Sequence, residues 1–201
     1  MTDPQTWVAS TYEGLADLLT KDDHTTDADS WDAPSLCEKW LVRHVVAHMT
    51  MPVRLTPERF GAEMAAAGGD FTVLSDTVAA RDAGLPLHDL LDQLRSPGLH
   101  AWQPPGGAAG ALSHAVIHSL DVTIALDRPP AAPEEAVVAL LDQLTAADGA
   151  WFGVDLTDVR LEAADTAWSW GSGRLVRADS GSLVALLSGR ALPDGRALPR
   201  S

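Results

Sequence analysis

The stretch Ala111-Leu-Ser-His-Ala-Val-Ile-His-Ser-Leu-Asp121 decides the fold. It reads as the middle of a helix running from about Ala108 to Leu126 and stopped by Asp127-Arg-Pro-Pro-Ala-Ala-Pro133. His114 and His118 are four residues apart, which places both imidazoles on one helical face, one turn apart. Two nitrogens so placed can share a metal ion but leave its coordination incomplete. A third ligand must come from elsewhere, and His48 is the leading candidate. It ends a second helical stretch, Leu41-Val-Arg-His-Val-Val-Ala-His48. Three neutral nitrogens with a vacant fourth position describe a catalytic rather than a structural zinc site. His48, His114 and His118 are therefore the candidate metal ligands, with Zn²⁺ as the first candidate and Ni²⁺ or Fe²⁺ as ions that imidazole also suits.

Asp121 lies three residues after His118, on nearly the same face. It is the candidate catalytic residue. A carboxylate there can accept the free ring N–H of a ligating histidine, or act as a base if water is the nucleophile. His44 and His48 form a second pair at the same spacing, so a four-histidine site is geometrically open. His44, however, falls in the first turn, where its ring faces the helix end or solvent. His24 lies in a polar loop, and His88 and His100 lie near local breaks; these three read as uninvolved. Cys37 reads as a partly buried structural thiol.

Working outward, residues 4 to 21 carry Val8, Tyr12, Leu15, Leu18 and Leu19 at helical spacing, with Pro4 in the first turn. Lys21 to Ser30 is polar and reads as a loop. Residues 53 to 83 are helical in composition and broken at Gly68-Gly69, and Pro86 to Arg95 reads as a short helix. A fourth main helix, from about Pro133 to Trp151, shows an apolar stripe of Val137, Val138, Leu140, Leu141 and Leu144. Residues 1–152 are thus expected to form a bundle of four principal helices.

The character then changes. Val159-Arg-Leu-Glu-Ala163, Thr166-Ala-Trp-Ser-Trp170 and Arg174-Leu-Val-Arg-Ala178 read as strands, and Ser180 to Ser188 as a final helix ended by Gly189. Residues 153–201 are expected to form a small α/β appendage, docked on the bundle through Trp168 and Trp170. The fold class is mainly α with a small α+β C-terminal part.

Composition narrows the partners. The chain has 201 residues and a net charge of −14, from 28 acidic and 14 basic residues. That balance argues against nucleic acid and against anionic membrane surfaces, both of which need basic patches. No apolar run approaches the ~20 residues of a membrane span, and the N-terminus lacks the pattern of a secretory signal. A single cysteine fits a reducing cytoplasm.

Three segments together resemble the mycothiol-dependent maleylpyruvate isomerase family. They are Trp31-Asp-Ala-Pro-Ser-Leu-Cys-Glu-Lys-Trp-Leu-Val-Arg-His-Val-Val-Ala-His48, Ser113-His-Ala-Val-Ile-His-Ser-Leu-Asp-Val122, and Trp168-Ser-Trp-Gly-Ser-Gly173 followed by Leu183-Val-Ala-Leu-Leu-Ser-Gly-Arg190. The resemblance implies a DinB-like four-helix bundle with a divalent metal held at the positions of His48, His114 and His118. Relatives often carry a small polar residue and an aspartate where this chain has Leu41 and His44, so the helix cap differs. The implied activity is metal-dependent activation of a thiol cofactor, mycothiol, for transfer to or isomerisation of a small electrophile, in a monomer or homodimer. The alternatives are a metal-dependent hydrolase and a non-catalytic metal- or ligand-binding bundle.

Overall fold

The computed structural model describes residues 3–20, 28–146 and 148–201. His24 and the first part of the expected polar loop lie outside the described residues. Helix α1 spans Pro4–Thr20, α2 Ala28–Trp31 and α3 Val42–Met49. Short α4, Met51–Arg54, continues α3 with Pro52 in its first turn. Then follow α5 (Pro57–Ala66), α6 (Phe71–Asp82), α7 (Leu87–Leu94) and α8 (Pro97–His100). The long α9 covers Gly107–Thr123 and α10 covers Glu134–Thr145. Strands β1 (Val159–Ala163), β2 (Ser169–Gly171) and β3 (Arg174–Ala178) precede α11 (Ser180–Leu187).

Local chemistry sets these boundaries. Thr56 caps α5 by accepting from Arg59 N–H. Asp70 caps α6 by accepting from Thr72 and Val73 N–H, and Asp179 caps α11 by accepting from Ser182 N–H. Between α5 and α6, Gly68 and Gly69 both take positive φ, 66° and 82°, a conformation that costs a side-chain-bearing residue.

The bundle is built on α1 and α9, with α3 and α10 completing it and α6 and α7 packed against α3. Its interior carries Tyr12, Leu15, Trp31, Val45, Val46, Met49, Leu90, Leu94, Leu120, Leu140 and Leu141, each 1 % exposed or less. The sheet has the order β2-β1-β3, with β1 antiparallel to β2 and parallel to β3 in the register Leu161 opposite Val176.

The attachment of the C-terminal part differs from the expectation in its main carrier. Trp168 and Trp170 are only half-buried, although Trp168 Nε1 donates to Asp142 on α10 at 2.8 Å. The firm contact comes from α11, where every residue from Ser180 to Leu187 is buried. A Cβ at Gly181 would lie 2.9 Å from a Leu120 methyl, so glycine there permits α11 to approach α9 closely. The hydrophobic core is continuous from the bundle through Leu161 to α11.

Candidate metal centre

His48 is buried in the last turn of α3, while His114 and His118 follow one another along α9. Their ring centroids lie 5.1 Å apart for His48 and His114, 4.7 Å for His48 and His118, and 5.0 Å for His114 and His118. One nitrogen from each ring falls within 4.8 Å of the others. The i, i+4 spacing on α9 and the packing of α3 against α9 are sufficient to bring the three together.

Each ring is held from behind. Ser75 Oγ, on α6, lies 2.9 Å from His48 Nδ1. Tyr12 Oη, on α1, lies 3.0 Å from His114 Nδ1. Asp121 Oδ2 lies 2.9 Å from His118 Nδ1. A carboxylate can only accept, so His118 donates its Nδ1–H and keeps its lone pair on Nε2. Hydroxyl oxygens can accept in the same way, which leaves three Nε2 lone pairs for a shared ligand. Burial, with His118 beside it, pulls His114 down to about 3. Burial, with His118, His114 and Arg190 nearby, also drives His48 well below the usual imidazole range. His48 and His114 are therefore held neutral, all three rings are oriented by a partner at Nδ1, and the set fits a divalent metal ion.

Two tryptophans stand beside the rings. Trp40 lies 5.0 Å from His48 between centroids, and its Nε1 donates to Asp76 at 2.9 Å. Trp102 meets His114 edge-on at 5.4 Å. Both are half-buried, as are His114 and His118, whereas His48 is buried.

Behind His118 lies a charged cluster. Asp121 is 1 % exposed. Its Oδ1 accepts from Arg190 Nε at 2.8 Å, and its Oδ2 accepts from Arg190 NH2 at 3.0 Å, from Cys37 Sγ at 3.0 Å and from His118. Burial pushes this carboxyl up, but the His118 and Arg190 hydrogen bonds outweigh it and hold the group well below the usual carboxylate range. The sequence points to Asp121 as a catalytic residue. It is 1 % exposed and engaged by Arg190, Cys37 and His118, so its geometry is that of a support for His118. Burial and Asp121 raise the Cys37 thiol, and Arg190 only partly opposes them.

The other histidines are elsewhere. The His44 ring turns back on its own helix, and its Nδ1 accepts from Leu41 N–H at 3.3 Å. His88 pairs with Asp89 at the surface. His100 Nε2 donates to Leu94 carbonyl at 2.8 Å, and its ring stacks on Tyr12 at 6.1 Å. Sequence reasoning missed Tyr12, Ser75 and Arg190 as supports of the site. Tyr12 shows only as one apolar position of α1, although it is the single tyrosine of the chain.

Residues 12–101 match the family model of the mycothiol maleylpyruvate isomerase N-terminal domain. The match covers less than half of the chain. It includes His48 and ends before His114 and His118. Two solved structures resemble the whole chain: a mycothiol-dependent maleylpyruvate isomerase, and a histidine-to-alanine mutant of such an enzyme. The mutant shares 15 % identity at a TM-score of 0.54, and the unmutated enzyme 16 % at 0.53. Each match covers 98 % of this chain and 95 % of the other. At that identity they establish the fold, which is DinB-like. No curated protein matches the chain. Among the described residues, no helix is long and apolar enough to cross a membrane.

Proposed function

We propose that the protein is a metalloenzyme that activates a thiol cofactor, mycothiol, for transfer to or isomerisation of a small electrophilic substrate. The observation that carries this reading is the convergence of His48, His114 and His118 within 4.8 Å, each with its Nδ1 committed to a separate partner. The family domain over residues 12–101 supports the choice of thiol.

In this reading His48, His114 and His118 bind a divalent ion through Nε2, with Zn²⁺ first among the candidates. Such an ion, when bound, stabilises the deprotonated form of a thiol at its open position near neutral pH. Ser75, Tyr12 and Asp121 accept the three Nδ1 protons and so fix the tautomer of each ring. Trp40 and Trp102 keep water from two sides of the rings and offer flat apolar walls to a substrate.

A hydrolase at the same site would call for a base near the attacking water. Asp121 is buried and already engaged by His118, Arg190 and Cys37, which favours the thiol reading. Metal-loaded protein with mycothiol and an excess of electrophile is expected to give a conjugate or an isomer. Turnover without any thiol would establish the hydrolase instead. Metal binding with no product across a broad panel of thiols and electrophiles would leave a non-catalytic bundle as the answer.

A further inference from the structure

The charged cluster behind His118 holds a second group of metal-ligating atoms. Cys37 Sγ, a His118 nitrogen and an Asp121 oxygen lie within 4.8 Å of one another. His118 is thus common to two possible ligand sets. One is the trio of histidines, and the other is a softer set with a thiol and a carboxylate. Both sets use the same ring orientation, but a neutral imidazole can serve only one, because the second set needs the lone pair on Nδ1, the nitrogen that now donates to Asp121.

The guanidinium of Arg190 decides between them by position. It spans both oxygens of Asp121 at 2.8 and 3.0 Å and reaches Cys37 Sγ at 3.4 Å. Its third nitrogen donates to the Ser188 carbonyl at 3.2 Å, which fixes the group to the end of α11. A fixed positive charge therefore stands against the same thiol and carboxylate that a second cation would need. The approach of Cys37 is equally built. The turn from Cys37 to Trp40 has Lys39 at φ 73°, and Leu36 N–H donates to the Asp121 carbonyl at 3.0 Å, which pins this turn to α9.

We propose that Arg190 is a resident counter-ion that closes the Cys37–His118–Asp121 group to metal and thereby keeps the lone pair of His118 on Nε2, toward His48 and His114. Arg190 is a positioning residue, acting on His118 through Asp121. The inference rests on the reading of the three histidines as the metal site, and one arm of its test does not depend on that reading.

That arm uses metal-free protein. Two-bond ¹⁵N–¹H spectra of the wild type are expected to show His118 as a single Nδ1–H tautomer. In Arg190→Met the two tautomers mix, and Arg190→Lys, which keeps a cation, restores the single form. The second arm uses cobalt(II) as the probe. Wild-type protein is expected to bind it without a thiolate-to-cobalt charge-transfer band. Arg190→Met is expected to show that band and to lose it again in Arg190→Met/Cys37→Ser, while affinity at the histidine site falls about 10- to 100-fold. If Arg190→Met does not fold, Arg190→Gln takes its place, with the same band expected. A neutral variant with an unmixed His118 tautomer, or one that binds cobalt with wild-type affinity and no sulfur band, overturns the proposal. So does a band that survives Cys37→Ser. Failure of wild-type protein to bind cobalt at all would sink the metal reading, and the tautomer arm would still decide the part played by Arg190.

Discussion

The two sides of the candidate site are held by different physics. On one side, His48 and His114 rest on neutral hydroxyls, Ser75 and Tyr12, supplied by α6 and α1. On the other, His118 rests on a buried carboxylate that is itself clamped by an arginine beyond α11. A hydroxyl partner is cheap to bury and weakly polarising. A buried carboxylate is costly unless compensated, and Arg190 compensates it. The charged side therefore binds the site to the C-terminal part, whereas the neutral side belongs to the bundle alone. We propose residues 1–152 and 153–201 as the two units, with the second structurally indispensable to the first.

Truncation after Val154 tests this most severely. It removes Leu161, Leu183, Val184, Leu186 and Leu187, each 1 % exposed or less. At about 2 kcal/mol for each buried side chain the loss is roughly 10 kcal/mol, comparable to the whole stability of a domain. The truncated chain is expected not to fold, as read by circular dichroism and dispersion of amide resonances. A cooperative melt within a few degrees of the full-length protein would show residues 153–201 to be a passenger and would break the comparison.

Removal of a ligand comes next. Alanine at His48, His114 or His118 is expected to weaken metal binding at least about 100-fold in chelator competition, since each supplies one of three protein donors. His44→Ala is expected to bind as the wild type does, because that ring is turned to Leu41 N–H. Full metal content in His114→Ala would disprove the three-histidine site.

How far the sequence carried this site follows from the range of each signal. The His114 and His118 pair is local, and a period of 3.6 residues is enough to see it. The helices were equally legible, because apolar spacing and Pro or Gly stops act over one or two turns; α9 was expected from Ala108 to Leu126 and spans Gly107–Thr123. Arg190 was not legible as a support. It reaches Asp121 across 69 positions of the chain, and nothing in its neighbours marks it as buried. Ser75 and Tyr12 were hidden for a related reason. Their partners lie on other helices, and a serine or tyrosine on a helix face does not declare which way its hydroxyl is used. The tryptophans showed only part of the attachment: Trp168 and Trp170 pack against the core as partly buried rings, while the uniform burial of α11 leaves no amphipathic pattern to read.

The neutral side also makes a prediction about pH. His48 and His114 are held below their ordinary value, chiefly by burial. In the unfolded chain both titrate near 6.5. The stability tied to their neutral state is thus intact above about pH 6.5 and is lost as pH falls below it, because the unfolded chain then takes up protons that the folded one refuses. For metal-free protein the stability is expected to fall steadily below about pH 6.5, down to the folded value of about 3 for His114. Urea unfolding between about pH 6.5 and pH 4 measures it. A flat profile would mean that these rings accept protons in place and that the site is not preset for a cation.

The smallest effect separates the two sides most finely. Tyr12→Phe keeps the ring that stacks on His100 and removes only the hydroxyl beside His114 Nδ1. Asp121→Asn keeps the shape beside His118 but removes the charge that Arg190 matches. The first change leaves one neutral donor without a partner and is expected to cost about 1 kcal/mol of stability. The second leaves a buried guanidinium without its counter-charge and is expected to cost about 3 kcal/mol. For metal affinity the ranking is the same, about 10-fold for Tyr12→Phe and closer to 100-fold for Asp121→Asn, because a carboxylate raises the donor strength of its imidazole more than a phenol does. Paired chelator titrations and melts of the two variants read both scales at once. Equal losses would show that the charged side is no more than a second neutral one, and that Arg190 serves the packing of α11 alone.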